Sequence, residues 1–99
     1  ETYKRLVEIS YQNGEIRRAL EYAQKALPLY ERLGERSLQA EMLSNAGGFH
    51  DILGETRKGL GFMHRSVEML RAAGDKRREA IALSTTGVLY SNVGEMQTA

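Results

Sequence analysis

The apolar residues of this chain recur on a helical beat. Between positions 15 and 33, Ile16, Ala19, Leu20, Ala23, Ala26, Leu27, Tyr30 and Leu33 follow the i, i+3, i+4, i+7 spacing of a helix buried along one side. Leu38, Met42, Leu43, Ala46, Phe49 and Leu53 do the same in segment 36–53. Leu60, Met63, Val67, Leu70 and Ala73 mark segment 55–73, and Ala80, Leu83, Val88, Leu89, Tyr90 and Val93 mark segment 76–93. Nothing alternates with period two, so no strand is expected. The pattern predicts helices over about 1–13, 15–33, 36–53, 55–73 and 76–93, with a further helix starting at 95–99.

The breaks between these segments are glycines, and they repeat. Gly14-Glu15, Gly54-Glu55 and Gly94-Glu95 are spaced by 40 residues. Gly34 and Gly74 share that spacing and fall midway, each followed by an acid and a base: Glu35-Arg36 and Asp75-Lys76. In the same register Arg17 matches Arg57, Leu20 matches Leu60, and Ala40 matches Ala80. Leu43-Ser44 with Gly47 returns as Leu83-Ser84 with Gly87. Gly34 and Gly74 stand where a helix ends in a left-handed residue. Gly14, Gly54 and Gly94 give links so short that neighbouring helices must lie antiparallel. One such hairpin cannot bury its own apolar stripe, so successive hairpins are expected to stack.

Two features strain the pattern. Pro28 lies inside the second helix and is expected to kink it near Gln24. Gly47 and Gly87 suit a close approach of a paired helix, but Gly48, Gly59 and Gly61 have no such place in the repeat. Each interior glycine costs roughly 0.5–1 kcal/mol relative to alanine, so the second repeat is expected to be the most mobile.

Composition narrows the function. Basic residues number 14 and acidic residues 13, for a formal charge of +1. Nucleic-acid binding usually needs a net basic face, so no nucleic acid is expected as a partner. There is no cysteine, which removes disulfides and thiolate metal sites and suits a reducing, cytoplasmic setting. No apolar run approaches the roughly 20 residues of a membrane span, and no membrane partner is expected. The chain opens on Glu1 and stops five residues past Gly94, so it is read as one segment of a longer array.

The segment Ala19-Leu20-Glu21-Tyr22-Ala23-Gln24-Lys25-Ala26-Leu27, the small residues Gly59 and Ser66 at matching positions, and Thr86-Gly87 followed by Tyr90 resemble the tetratricopeptide repeat (TPR) family. Ala46-Gly47 followed by His50 departs from that motif, and Val7 followed by Ser10 has lost both signature residues. The usual period of the family is about 34 residues, so this chain is similar to the long-period subgroup that includes kinesin light chains and bacterial regulators. The resemblance implies an all-α fold: a right-handed α-solenoid of about 2.5 stacked antiparallel hairpins. It also implies a concave groove, lined by the first helix of each hairpin, that receives a peptide. By the motif register the groove residues are Lys4, Glu8, Tyr11 and Gln12 in the first unit. Ser44, Asn45, Gly48 and Asp51 follow in the second, and Ser84, Thr85, Val88, Ser91 and Asn92 in the third. Relatives that clamp a C-terminal carboxylate need an asparagine where Glu8 stands and bases where Ile81 and Thr85 stand, so that clamp is not expected.

Candidate chemistry is sparse. His50-Asp51 invites a metal or catalytic reading, but a metal needs three or four convergent ligands, and His64 lies on a different predicted helix. His50 is expected to pack between hairpins in place of the family tyrosine. No nucleophile–base pair, phosphate loop or carboxylate pair is present, so neither an enzyme nor a cofactor is expected. Lys76-Arg77-Arg78, with Arg71 nearby, is a basic run at a helix start, offset by Asp75 and Glu79. The leading expectation is a scaffold that binds a protein or peptide in its groove. The alternative is an assembly or autoinhibitory module inside a larger regulator, contacting a neighbouring domain or another copy through uncapped solenoid ends. RNA binding by a related helical repeat is the third reading, opposed by Glu8 and Asp51 on the expected groove.

Overall fold

A computed structural model describes residues 2–98, and side-chain surroundings for residues 3–94. Five helices follow one another: α1 (Thr2–Gln12), α2 (Ile16–Leu33), α3 (Arg36–Ile52), α4 (Thr56–Ala73) and α5 (Lys76–Thr98). No strand occurs among the described residues. Glu1 and Ala99, the outermost residues of the first and last predicted helices, lie outside the described residues.

The links form where glycine permits them. Gly14, Gly34, Gly54 and Gly74 all take positive φ, between 71° and 84°, a conformation that costs other residues a Cβ clash. At Gly34 and Gly74 the cap amides bond back to the last-turn carbonyls of α2 and α4, which satisfies groups the helix end would leave orphaned. Glu15, Glu35 and Glu55 stand before the first turns of α2, α3 and α4 without a side-chain cap bond. At α5 the Asp75 carboxylate accepts the Arg78 amide at 3.2 Å, a true N-terminal cap.

One expectation is corrected here. Helix α5 runs through Gly94 to Thr98 without a turn, and Gly94 is absent from the positive-φ glycines. Glycine permits a turn but does not impose one; packing of a neighbouring helix selects it. Pro28 lies exposed within α2, which continues as one helix from Ile16 to Leu33.

Consecutive helices pack on each other, and α3 also touches α5. The pairing is antiparallel, since contact partners count in opposite directions. Gly47 faces Gly59, while Ser66 Oγ, nearer the far end of α4, donates to the Ala40 carbonyl at 2.8 Å and shares a 2.7 Å bond with Ser44. The core lies between the layers in two parts. Val7, Ala23, Ala26, Tyr30, Met42 and Phe49 join α1, α2 and α3; Ala40, Met63, Val67, Leu70, Ala82 and Leu89 join α3, α4 and α5. Burying each large side chain contributes about 1.5–3 kcal/mol. The result is a slab 43 × 31 × 18 Å.

Gly59 corrects a second expectation. A Cβ there would strike the Gly47 carbonyl oxygen, and a Cβ on Gly47 would meet the Gly59 carbonyl at 2.9 Å. The two glycines let α3 and α4 touch backbone to backbone. Gly48 and Gly61 have open space around them, and so does Gly87, which meets no helix here.

Candidate functional site

Helices α1, α3 and α5 line a common trough, which Leu70 of α4 also reaches, while α2 stands behind. Its larger cavity, about 330 Å³, is lined by Val7, Glu8, Tyr11, Ser44, Asn45, Gly48, Phe49, Ile52, Ile81 and Thr85. A second, about 230 Å³, is lined by Glu41, Ser44, Asn45, Leu70, Arg78, Ile81, Ala82 and Thr85. The two share Ser44, Asn45, Ile81 and Thr85, and so form one continuous depression.

The lining is apolar with a polar middle. Tyr11 leans on Phe49 at a centroid distance of 5.7 Å, and Ile52 and Ile81 stay exposed at the edge. Asn45 is half-buried, and its side chain makes no hydrogen bond among the described residues, so its amide offers both a donor and an acceptor. Ser44 is committed to Ser66, and the Thr85 hydroxyl donates to the Ile81 carbonyl at 3.2 Å. Three charged side chains reach the lining: Glu8, Glu41 and Arg78. Glu41 pairs with Lys4 at 3.7 Å, and Arg78 with Asp75 at 3.8 Å.

Of the residues expected in the groove, Glu8, Tyr11, Ser44, Asn45, Gly48 and Thr85 meet around this trough. Lys4 sits half-buried against Glu41 outside both cavities. Gln12, Ser84, Val88 and Ser91 are exposed and line neither. Asp51 and Asn92 bond each other: the Asn92 amide donates to both Asp51 oxygens at 3.1 and 3.0 Å, and Thr56 donates to Oδ1 at 2.7 Å. They tie α3 to α5 and to the start of α4. The apolar lining residues Val7, Phe49, Ile52 and Ile81, with Glu41 and Arg78, were not expected there. The pattern that placed Phe49 in a core stripe could not tell the core edge from the trough edge, because one residue turns a helix by about 100°.

His50 is buried and stacks on Phe62 at 5.2 Å. Its Nδ1 donates to Glu55 Oε1 at 2.9 Å, while Nε2 is buried with no hydrogen-bond partner. That bond holds the Glu55 carboxyl below its ordinary range against desolvation, which opposes it, and the charges of Lys58, His50 and Arg17 add to it. His64 instead shares a 2.7 Å bond with the Tyr90 hydroxyl. Among the described residues no group of three or more His, Cys, Asp or Glu could hold a metal ion. In the basic run, Arg71 donates to Glu79 at 2.9 Å. No helix among the described residues is long and apolar enough to cross a membrane.

The chain matches no model of a known protein family. No curated protein matches it either.

Proposed function

We propose that this chain is a helical-repeat binding module of the TPR type, a right-handed solenoid whose trough receives an extended peptide or a helix of another protein. The observation that carries the reading is the trough itself. Alternate helices α1, α3 and α5 converge on one apolar depression with the Asn45 amide uncommitted at its centre. An apolar lining with a few oriented polar groups is the usual make-up of a binding site. Asn45 can pair with both the N–H and the C=O of a peptide unit, which fixes register, while the Tyr11–Phe49–Ile52 wall takes an apolar side chain. The sparse and mostly paired charge around the trough supports a polypeptide ligand over a polynucleotide, whose affinity rests on unpaired bases.

The test is selection from a displayed peptide library against the folded chain, followed by titration. Asn45→Ala and Tyr11→Ala should each weaken the selected peptides by about ten-fold or more, near 1.4 kcal/mol. Gln12→Ala and Ser91→Ala should change little. A library that yields no binder, or binders indifferent to Asn45 and Tyr11, overturns the reading.

A further inference from the structure

Of the charged groups that line the trough, one is uncommitted. Glu41 pairs with Lys4 at 3.7 Å, and Arg78 with Asp75 at 3.8 Å. Glu8, exposed in the lining of the larger cavity, takes part in no ion pair among the described residues. Arg5, one turn earlier on α1, forms no ion pair with it either. Glu8 faces across the trough and not toward an end of the slab. Lys4 and Tyr11, one turn to either side of it, both reach α3, at Glu41 and Phe49.

Resting on the peptide-binding reading of the trough, we infer that its ligand carries a basic side chain seated on Glu8, beside an apolar residue held by the wall. Charge points that way. The Glu41–Lys4 and Arg78–Asp75 pairs each cancel, which leaves the trough with the negative charge of Glu8. A carboxylate set between apolar walls attracts a cation more strongly than one surrounded by water, because such walls focus its field into the groove. The wall also suits the rest of a lysine or arginine side chain. Tyr11 shares the face of α1 with Glu8, and it is 53% exposed. A cation held by the carboxylate lies against that ring and gains a cation–π contact. Ile52 and Ile81, both exposed in the same cavity, cover the methylene stem and the neighbouring apolar residue. An acidic segment would meet Glu8 and find Lys4 and Arg78 already engaged.

Peptides selected from a displayed library against the folded chain should be enriched in Lys or Arg within one or two positions of an apolar residue. Replacing that basic residue with alanine should weaken binding roughly five-fold, the upper end for an exposed ion pair, and Glu8→Gln should weaken the parent peptide equally. The two changes should not add, because each breaks the same pair. Binding should also weaken as salt is added. Glu8→Lys should reverse the choice and favour peptides with Asp or Glu at that position. Glu21→Gln, exposed on α2 behind the trough, should change nothing, and circular dichroism should be the same for all three variants. Peptides that need Asn45 and Tyr11 but carry no preferred basic residue, or that bind Glu8→Gln as well as the parent chain, overturn this proposal and leave the peptide-binding reading standing. A library without a binder, or binders indifferent to Asn45 and Tyr11, overturns both.

Discussion

A methyl group on Gly59 would press against the Gly47 carbonyl oxygen, and backbone cannot swing aside as a side chain can. Gly59→Ala should therefore destabilise the chain by about 1–3 kcal/mol, the usual cost of overpacking, despite alanine's better helix propensity. Gly61, two residues on, is exposed with open space around it. Gly61→Ala should instead stabilise by roughly 0.5–1 kcal/mol. Urea midpoints of the two variants, moving in opposite directions, check the pair. The sequence shows both glycines as equal departures from good helix composition. Only the neighbouring helix distinguishes them, so this part of the structure was not legible in one dimension. The His50–Glu55 bond is also a residue-scale device. Glu55 titrates below its ordinary range in the folded chain because His50 donates to it. A carboxylate depressed in this way adds stability that is present above its unfolded pKa and lost as pH falls through the folded one. The wild type should lose stability across that acid window, and Glu55→Gln should flatten that part of the curve. Parallel pH curves for the two proteins would show that the bond adds nothing to stability.

At the scale of the helix, periodicity and glycine did most of the specification. The expected segments match α1 to α4 within two residues or so at each end, the ordinary uncertainty of a helix boundary. They match because Gly14, Gly34, Gly54 and Gly74 each occupy a left-handed position that few other residues tolerate. After Gly94 the same dipeptide is absorbed into α5. Pro28 shows the converse: tertiary packing overrides a local breaker. Tyr30 and Ala26, on either side of it, are buried in the first core, and they hold α2 together across the missing amide. Pro28→Ala should restore that hydrogen bond on an exposed position and raise stability by about 1–3 kcal/mol. Thermal or urea unfolding reads it directly, and an unchanged midpoint would mean that the packing already bears the whole cost. The trough was half legible for a related reason. Its polar members, Glu8, Asn45 and Thr85, follow from the register of the first helix in each unit. Asp51 and Asn92 looked the same in sequence, but they meet each other across 41 positions, which is a fact of stacking and not of pattern.

At the scale of the whole molecule, the chain has no single centre. Each helix rests mainly on the ones before and after it, and the core is divided into two clusters that meet along α3. Stability in such an arrangement is close to a sum of local terms and nearest-neighbour interfaces. Helices with neighbours on both sides should then open last. Helices α3 and α4 hold Met42, Leu43 and Met63, which are completely buried, and they are joined by the glycine crossing. Helix α1 is packed chiefly on α2, and α5 on α4. Native-state hydrogen exchange should therefore show a gradient: slowest amides in the middle of α3 and α4, intermediate ones in α2, fastest in α1 and the last turns of α5. The crossing makes the gradient steerable. Gly59→Ala should reduce protection in α3 and α4 and leave the α1–α2 contact nearly as it was, since Ala19, Ala23 and Ala26 belong to the other core cluster. Equal protection in all five helices, or a uniform loss on Gly59→Ala, would mean that the slab unfolds as one cooperative body and that the local reading of its stability is wrong.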